Sequence, residues 1–147
     1  MLQNSLLNNR ILLTSLLAWL VAQISKTIID LLRQRKLILS RLVSSGGMPS
    51  SHSALVTGLA TSTGRVMGLG SASFAIAVVI ASIVMYDAAG VRRAVSIQAR
   101  ILNQMIEEAF QGSPMAEKRL RELIGHTPVQ VLVGALLGIG IGLLVTI

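Results

Sequence analysis

The stretch SFAIAVVIASIVMYDAA, residues 73–89, carries no charge before Asp87. As an α-helix it rises about 25 Å, close to the thickness of a bilayer's hydrocarbon core. It reads as a membrane span, and that decides the fold class. Asp87 is then an ionisable group at the membrane edge, where such groups mark function by default. Its bland role is pairing with Arg92 or Arg93, which follow in the chain.

The rest of the chain agrees. Of 147 residues, 52% are hydrophobic and 13% charged, and the mean hydropathy is +0.72. A soluble domain carries about twice that charge. The net charge of +7 therefore points to basic loops on the cytoplasmic side of a membrane, not to nucleic acid. Trp19 and Tyr86 offer no stacking platform for bases. There is no cysteine, so disulfide and thiolate chemistry are excluded.

Working outward, Ile11 to Ser25 is almost wholly apolar, and the run continues through Ile28, Ile29, Leu31 and Leu32. No small-x-small cleavage site precedes a polar mature sequence, so a retained helix is expected rather than a signal peptide. Lys26, Asp30 and Arg33 share one face near its end, at i, i+4 and i+7. They either anchor the helix at the interface, with Asp30 pairing with Lys26, or present a cationic face to a phosphate. A helix from His52 to about Gly68 is rich in Gly, Ala, Ser and Thr, which suits tight packing between helices. Gly68 to Ser71 makes a turn. Residues 92–108 are amphipathic and are expected on or against the membrane. Met115 to Ile124 reads as a short charged helix. The last span opens at Thr127-Pro128-Val129-Gln130, a capping box with proline at the first helical position. In it Gly134, Gly138 and Gly142 recur every fourth residue, a packing seam for a neighbouring helix. The expected architecture is an all-α membrane bundle in a single domain, 1–147. Four spans lie roughly at 9–30, 52–68, 71–90 and 127–147, with interfacial helices between them.

The segment Gly46-Gly47-Met48-Pro49-Ser50-Ser51-His52-Ser53-Ala54 has a different composition. Pro49 disfavours the helical region for Met48, so a helix starts just after it. Ser50 or Ser51 can cap that start, and His52 falls in its first turn. The N–H groups there have no partner within the helix and suit an anion such as phosphate.

Four spans put both long connections, 31–51 and 91–126, on one side. All 13 Lys and Arg except Arg10 and Arg65 gather there. The positive-inside rule makes that side cytoplasmic, in a bacterial inner membrane by expectation. Both histidines, His52 and His126, sit at or just before outward-going helix starts on the same side. Two histidines, two helix starts and several cations can thus converge on one surface. Phosphate-ester cleavage needs such a set: cations to hold the anionic oxygens, a nucleophile, and an acid for the leaving oxygen. Two histidines without a neighbouring carboxylate make a poor metal site, Asp87 being the one candidate third ligand. No metal or other cofactor is expected.

In order along the chain, these residues resemble the motifs of the type-2 phosphatidic acid phosphatase superfamily, which includes the vanadium haloperoxidases. Lys26 and Arg33 have the K-x6-R spacing, with Gln34 in place of the following proline. Pro49-Ser50-Ser51-His52 is similar to P-S-G-H, with Ser51 for glycine. His126 to Gln130 is similar to H-x3-D, with Gln130 for aspartate. Leu120 stands where an arginine is expected, flanked by Arg119 and Arg121. The resemblance runs from about 26 to 142 and is nearest the small acid-phosphatase-related membrane branch. It implies His126 as nucleophile and His52 as general acid. It implies a phosphate clamp of Lys26, Arg33 and Arg119 or Arg121, helped by Ser50, Ser51 and backbone N–H groups, with Arg92 and Arg93 as further candidates. Gln130, or Asp87 if the third span meets the fourth, would orient His126.

The expected function is metal-independent hydrolysis of a phosphate monoester or pyrophosphate on a lipid or isoprenoid, in contact with membrane lipids. The alternative is an inactive phospholipid-binding or scaffold protein of the same fold. A small transport or assembly subunit, a homo-oligomer joined by glycine seams, is the third reading.

Overall fold

The computed structural model describes residues 8–34, 47–109 and 127–146, in five helices. They are α1 (Arg10–Gln34), α2 (Ser51–Met67), α3 (Ala72–Ala89), α4 (Val91–Ala109) and α5 (Pro128–Val145). The connection carrying Arg35, Lys36 and Arg41, the short charged helix at 115–124, and Arg119, Arg121 and His126 lie outside the described residues.

Sequence caps set the boundaries. Ser50 caps α2, its hydroxyl accepting the Ser53 N–H, and Ser71 caps α3 in the same way from Phe74. The Met48–Pro49 peptide is cis. At the other end of α2, Gly68 has φ +88. That left-handed backbone is costly for a side chain and ends the helix cleanly.

The interior is small and the outside is large. The buried apolar set is mostly alanine, including Ala18, Ala22, Ala54, Ala60, Ala77 and Ala81. Leu16, Leu20, Ile24, Ile76, Ile83, Leu132 and Leu136 face outward. In water this would be an untenable apolar surface. In a bilayer the lipid tails cover it, and the helices associate by close backbone approach. Among the described residues three helices, α1, α3 and α5, are long and apolar enough to cross a membrane. The fourth expected span, α2, has 17 residues. It is more polar and sits at the centre, with α1, α3 and α5 packed on it.

Helix directions follow from the contacts. A Cβ on Gly58 would lie 2.9 Å from Ala18 Cβ, and one on Gly47 would lie 3.2 Å from Lys26 Cγ. Positions therefore fall along α1 as they rise along α2, so the two are antiparallel. Gly134 lies against Ser50, Gly138 against Ala54 and Thr57, and Gly142 against Thr61. Each glycine of α5 meets the next turn of α2, so these helices run parallel. The glycine seam is thus filled within the chain. Arg65 Nε donates to the Thr146 carbonyl at 3.2 Å, joining the far ends of the pair. The turn at 68–71 returns α3 antiparallel to α2, with Val56, Ala60, Ala77 and Ala81 forming their shared core.

Beyond Gly90 the chain enters α4. Val95, Ile97, Ile101, Leu102 and Met105 are exposed on it, while Ala99 and Asn103 are buried. Such a helix covers its apolar face by lying in the membrane interface.

Candidate functional site

Parallel packing of α2 and α5 sets both of their N-termini at one end of the bundle. A backbone hydrogen bond ties them: the Ser50 N–H donates to the Gln130 carbonyl at 3.0 Å. The close approach depends on Gly134, since a Cβ there would collide with the Ser50 backbone. Ser50 is fully buried. Its hydroxyl oxygen is 3.4 Å from the Ser53 N and 3.1 Å from Ser53 Oγ. Ser51 is buried beside it. The N–H groups of Ser51 and His52 open α2, the positive end of its dipole.

The second half of antiparallel α1 comes back to this end. Lys26 is 0% exposed, unusual for a side chain that normally extends its ammonium to water. Its stem runs under Gly47, whose φ of +96 holds the loop over it. Its Nζ donates to Gln23 Oε1 at 2.8 Å. His52, in the first turn of α2, is half-buried, with Nδ1 shielded from solvent. Asp30, one turn beyond Lys26, is half-buried as well.

At the start of α5 the capping box is complete. Thr127 Oγ1 accepts the Gln130 N–H at 3.4 Å, and Gln130 Oε1 accepts the Thr127 N–H at 3.1 Å. His126 immediately precedes this cap in the chain.

Of the residues singled out in the sequence, Lys26, Ser50, Ser51, His52 and Gln130 thus gather at one end of the bundle. Arg33, Arg92 and Arg93 lie on described helices, but their side chains, like Arg119, Arg121 and His126, are outside what the structure describes. Asp87 is in the last turn of α3 and exposed. Among the described residues it has no hydrogen bond to His52, Lys26 or Gln130. One contributor was not foreseen: Gln23 holds the lysine head. Gly47, in the segment already singled out, confines its stem. An amide within an apolar run, three residues before a lysine on the same helix face, was the available signal for Gln23.

The fold and these residues define a small membrane helical bundle with a buried lysine and two helix N-termini at one end. The chain belongs to the Divergent PAP2 family, whose model matches residues 7–141. It is 43% identical over 145 residues to "Uncharacterized membrane protein YuiD" of Bacillus subtilis (strain 168), covering 91% of this chain and 92% of that protein. No solved structure matches it.

Proposed function

We propose that this chain is a membrane-embedded, metal-independent phosphatase acting on a phosphorylated lipid or isoprenoid at the cytoplasmic face. The observation that carries the reading is the Ser50 N–H to Gln130 carbonyl bond, at the end of the bundle where the stem of buried Lys26 lies against Gly47. It draws two helix N-termini and a lysine into one anion-attracting end, and His52 and Thr127, the neighbour of His126, belong to those two helix starts.

In this mechanism Lys26 and the first-turn N–H groups of α2 hold the phosphoryl oxygens, with Arg33 and an arginine of 119 or 121 completing the clamp. A His126 ring nitrogen attacks phosphorus while the ester P–O bond breaks, and His52 gives its proton to the departing alkoxide. Water then cleaves the phosphohistidine P–N bond, releasing phosphate and regenerating the imidazole. The chemistry resides in the side chains and the electrostatics of the pocket.

One observation favours a second reading, phospholipid binding without turnover. Gln130 stands where a carboxylate would stabilise the histidine cation, and its side chain is engaged in the α5 capping box.

The test is phosphate release from a panel of lipid phosphates by detergent-purified protein without added metal. The phosphatase reading expects wild-type activity, its loss in His126→Ala, and a gain of tenfold or more in Gln130→Asp, by roughly the value of a restored charged partner. Absence of activity in every form, with phosphate-lipid binding that depends on Lys26, selects the binding protein.

A further inference from the structure

We propose that Gln23 is a positioning residue for the phosphate site: its carboxamide oxygen aims the Lys26 ammonium at the helix starts without cancelling its charge. The inference rests on the phosphate site proposed above, and on a hydrogen bond that no part of the motif resemblance includes.

Gln23 and Lys26 lie three residues apart on one face of α1 and are both buried, with 6% and 0% exposure. The Lys26 Nζ to Gln23 Oε1 distance is 2.8 Å. The lysine stem is confined from the other side. A Cβ at Gly47 would stand 3.2, 3.3 and 3.8 Å from Lys26 Cγ, Cδ and Cε. With the stem held by the loop and the head by the amide, the ammonium has little freedom to turn outward. An ammonium has three N–H donors. Gln23 takes one and thereby sets the direction of the other two.

The choice of acceptor carries the chemistry. A carboxylate at position 23 would also accept this hydrogen bond, but it would neutralise the ammonium and repel a phosphate. A neutral amide orients the cation and adds no negative charge of its own. A polar side chain on a spanning helix is costly and is kept where it has work to do.

The experiment measures the dissociation constant of inorganic phosphate by 31P NMR titration of the detergent-purified full chain. The proteins are wild type, Gln23→Leu, Gln23→Met, Gln23→Glu, Lys26→Ala and the Gln23→Leu/Lys26→Ala double variant, each with its thermal midpoint. Gln23→Leu and Gln23→Met are expected to bind about tenfold more weakly, the scale of one hydrogen bond to a charged group. Gln23→Glu should bind at least as weakly although it keeps an acceptor. In the Lys26→Ala background Gln23→Leu should cost nothing further, because its effect passes through the ammonium. An equal loss in both backgrounds would mark a structural role and overturn the proposal. Unchanged affinity in Gln23→Leu and Gln23→Met beside a weakened Lys26→Ala would do the same and leave the phosphate site standing. If Lys26→Ala binds like wild type, or wild type binds no phosphate, the site itself falls and the positioning role with it.

Discussion

Thr57 Oγ1 lies 2.8 Å from the Ser53 carbonyl of its own helix and 3.1 Å from the Ala135 carbonyl of α5. Its one proton is shared between the two, so part of the hydroxyl's value is a link between α2 and α5. Thr14 is as deeply buried, yet its Oγ1 has no hydrogen-bond partner among the described residues. A valine replaces either threonine at nearly constant shape. Thr57→Val should destabilise the folded protein by about 0.5–1.5 kcal/mol, the range for one interhelical hydrogen bond in a membrane. Thr14→Val should be neutral or stabilising, because an unsatisfied polar atom is removed from the interior. Reversible unfolding in mixed micelles checks both; a larger loss for Thr14→Val than for Thr57→Val contradicts this assignment. The two threonines look alike in sequence. Their difference comes from which carbonyl of a neighbouring helix happens to face each one, which only the packing decides.

At the scale of elements, the seam between α2 and α5 depends on the absence of side chains on one face of α5. A Cβ on Gly138 would strike Thr57 Oγ1 and the Ala54 backbone, whereas one on Gly140 meets nothing within 4 Å. Gly138→Ala is expected to cost on the order of 1–3 kcal/mol through overpacking. It should also part the two helix starts, since the same seam carries the Ser50–Gln130 bond. Gly140→Ala should be harmless, or stabilising by up to about 1 kcal/mol from helix propensity. Comparable losses in the two variants, by thermal denaturation in detergent, would show that α5 is not seated on α2 through this face. This element was legible in advance, because the every-fourth-residue spacing of Gly134, Gly138 and Gly142 is a local pattern. The caps at Ser50 and Thr127 were legible for the same reason. The placement of Asp87 was not. α3 turns Ala77, Ala81 and Ala88 inward, and Asp87, about 100° round the helix from Ala88, is carried to the outside. Hydropathy gave the span but not its rotation. Gln23 was not legible because apolar length, the signal that marks its run as a span, is insensitive to a single amide within it.

For the whole molecule, the arrangement of helices makes a claim about sidedness. The antiparallel hairpins α1–α2 and α2–α3, with α5 parallel to α2, put Lys26, His52 and Gln130 at one end and the 68–71 turn at the other. Nearly all Lys and Arg belong to the first end in sequence, so it faces the cytoplasm if the positive-inside rule governs insertion. Arg65, one of the two exceptions, is held at the other end by the Thr146 carbonyl. The chain has no cysteine, so single introduced thiols report without background. Leu69 in the turn is 74% exposed, and Glu107 on α4 is exposed as well. In intact cells a membrane-impermeant maleimide should label Leu69→Cys and spare Glu107→Cys, and permeabilisation should expose the second. The reverse pattern would place the His52 end outside, where the lipid phosphates it meets are those of the outer leaflet. Labelling at both sites before permeabilisation would mean that α3 does not cross the bilayer, and the fold assignment would fail with it.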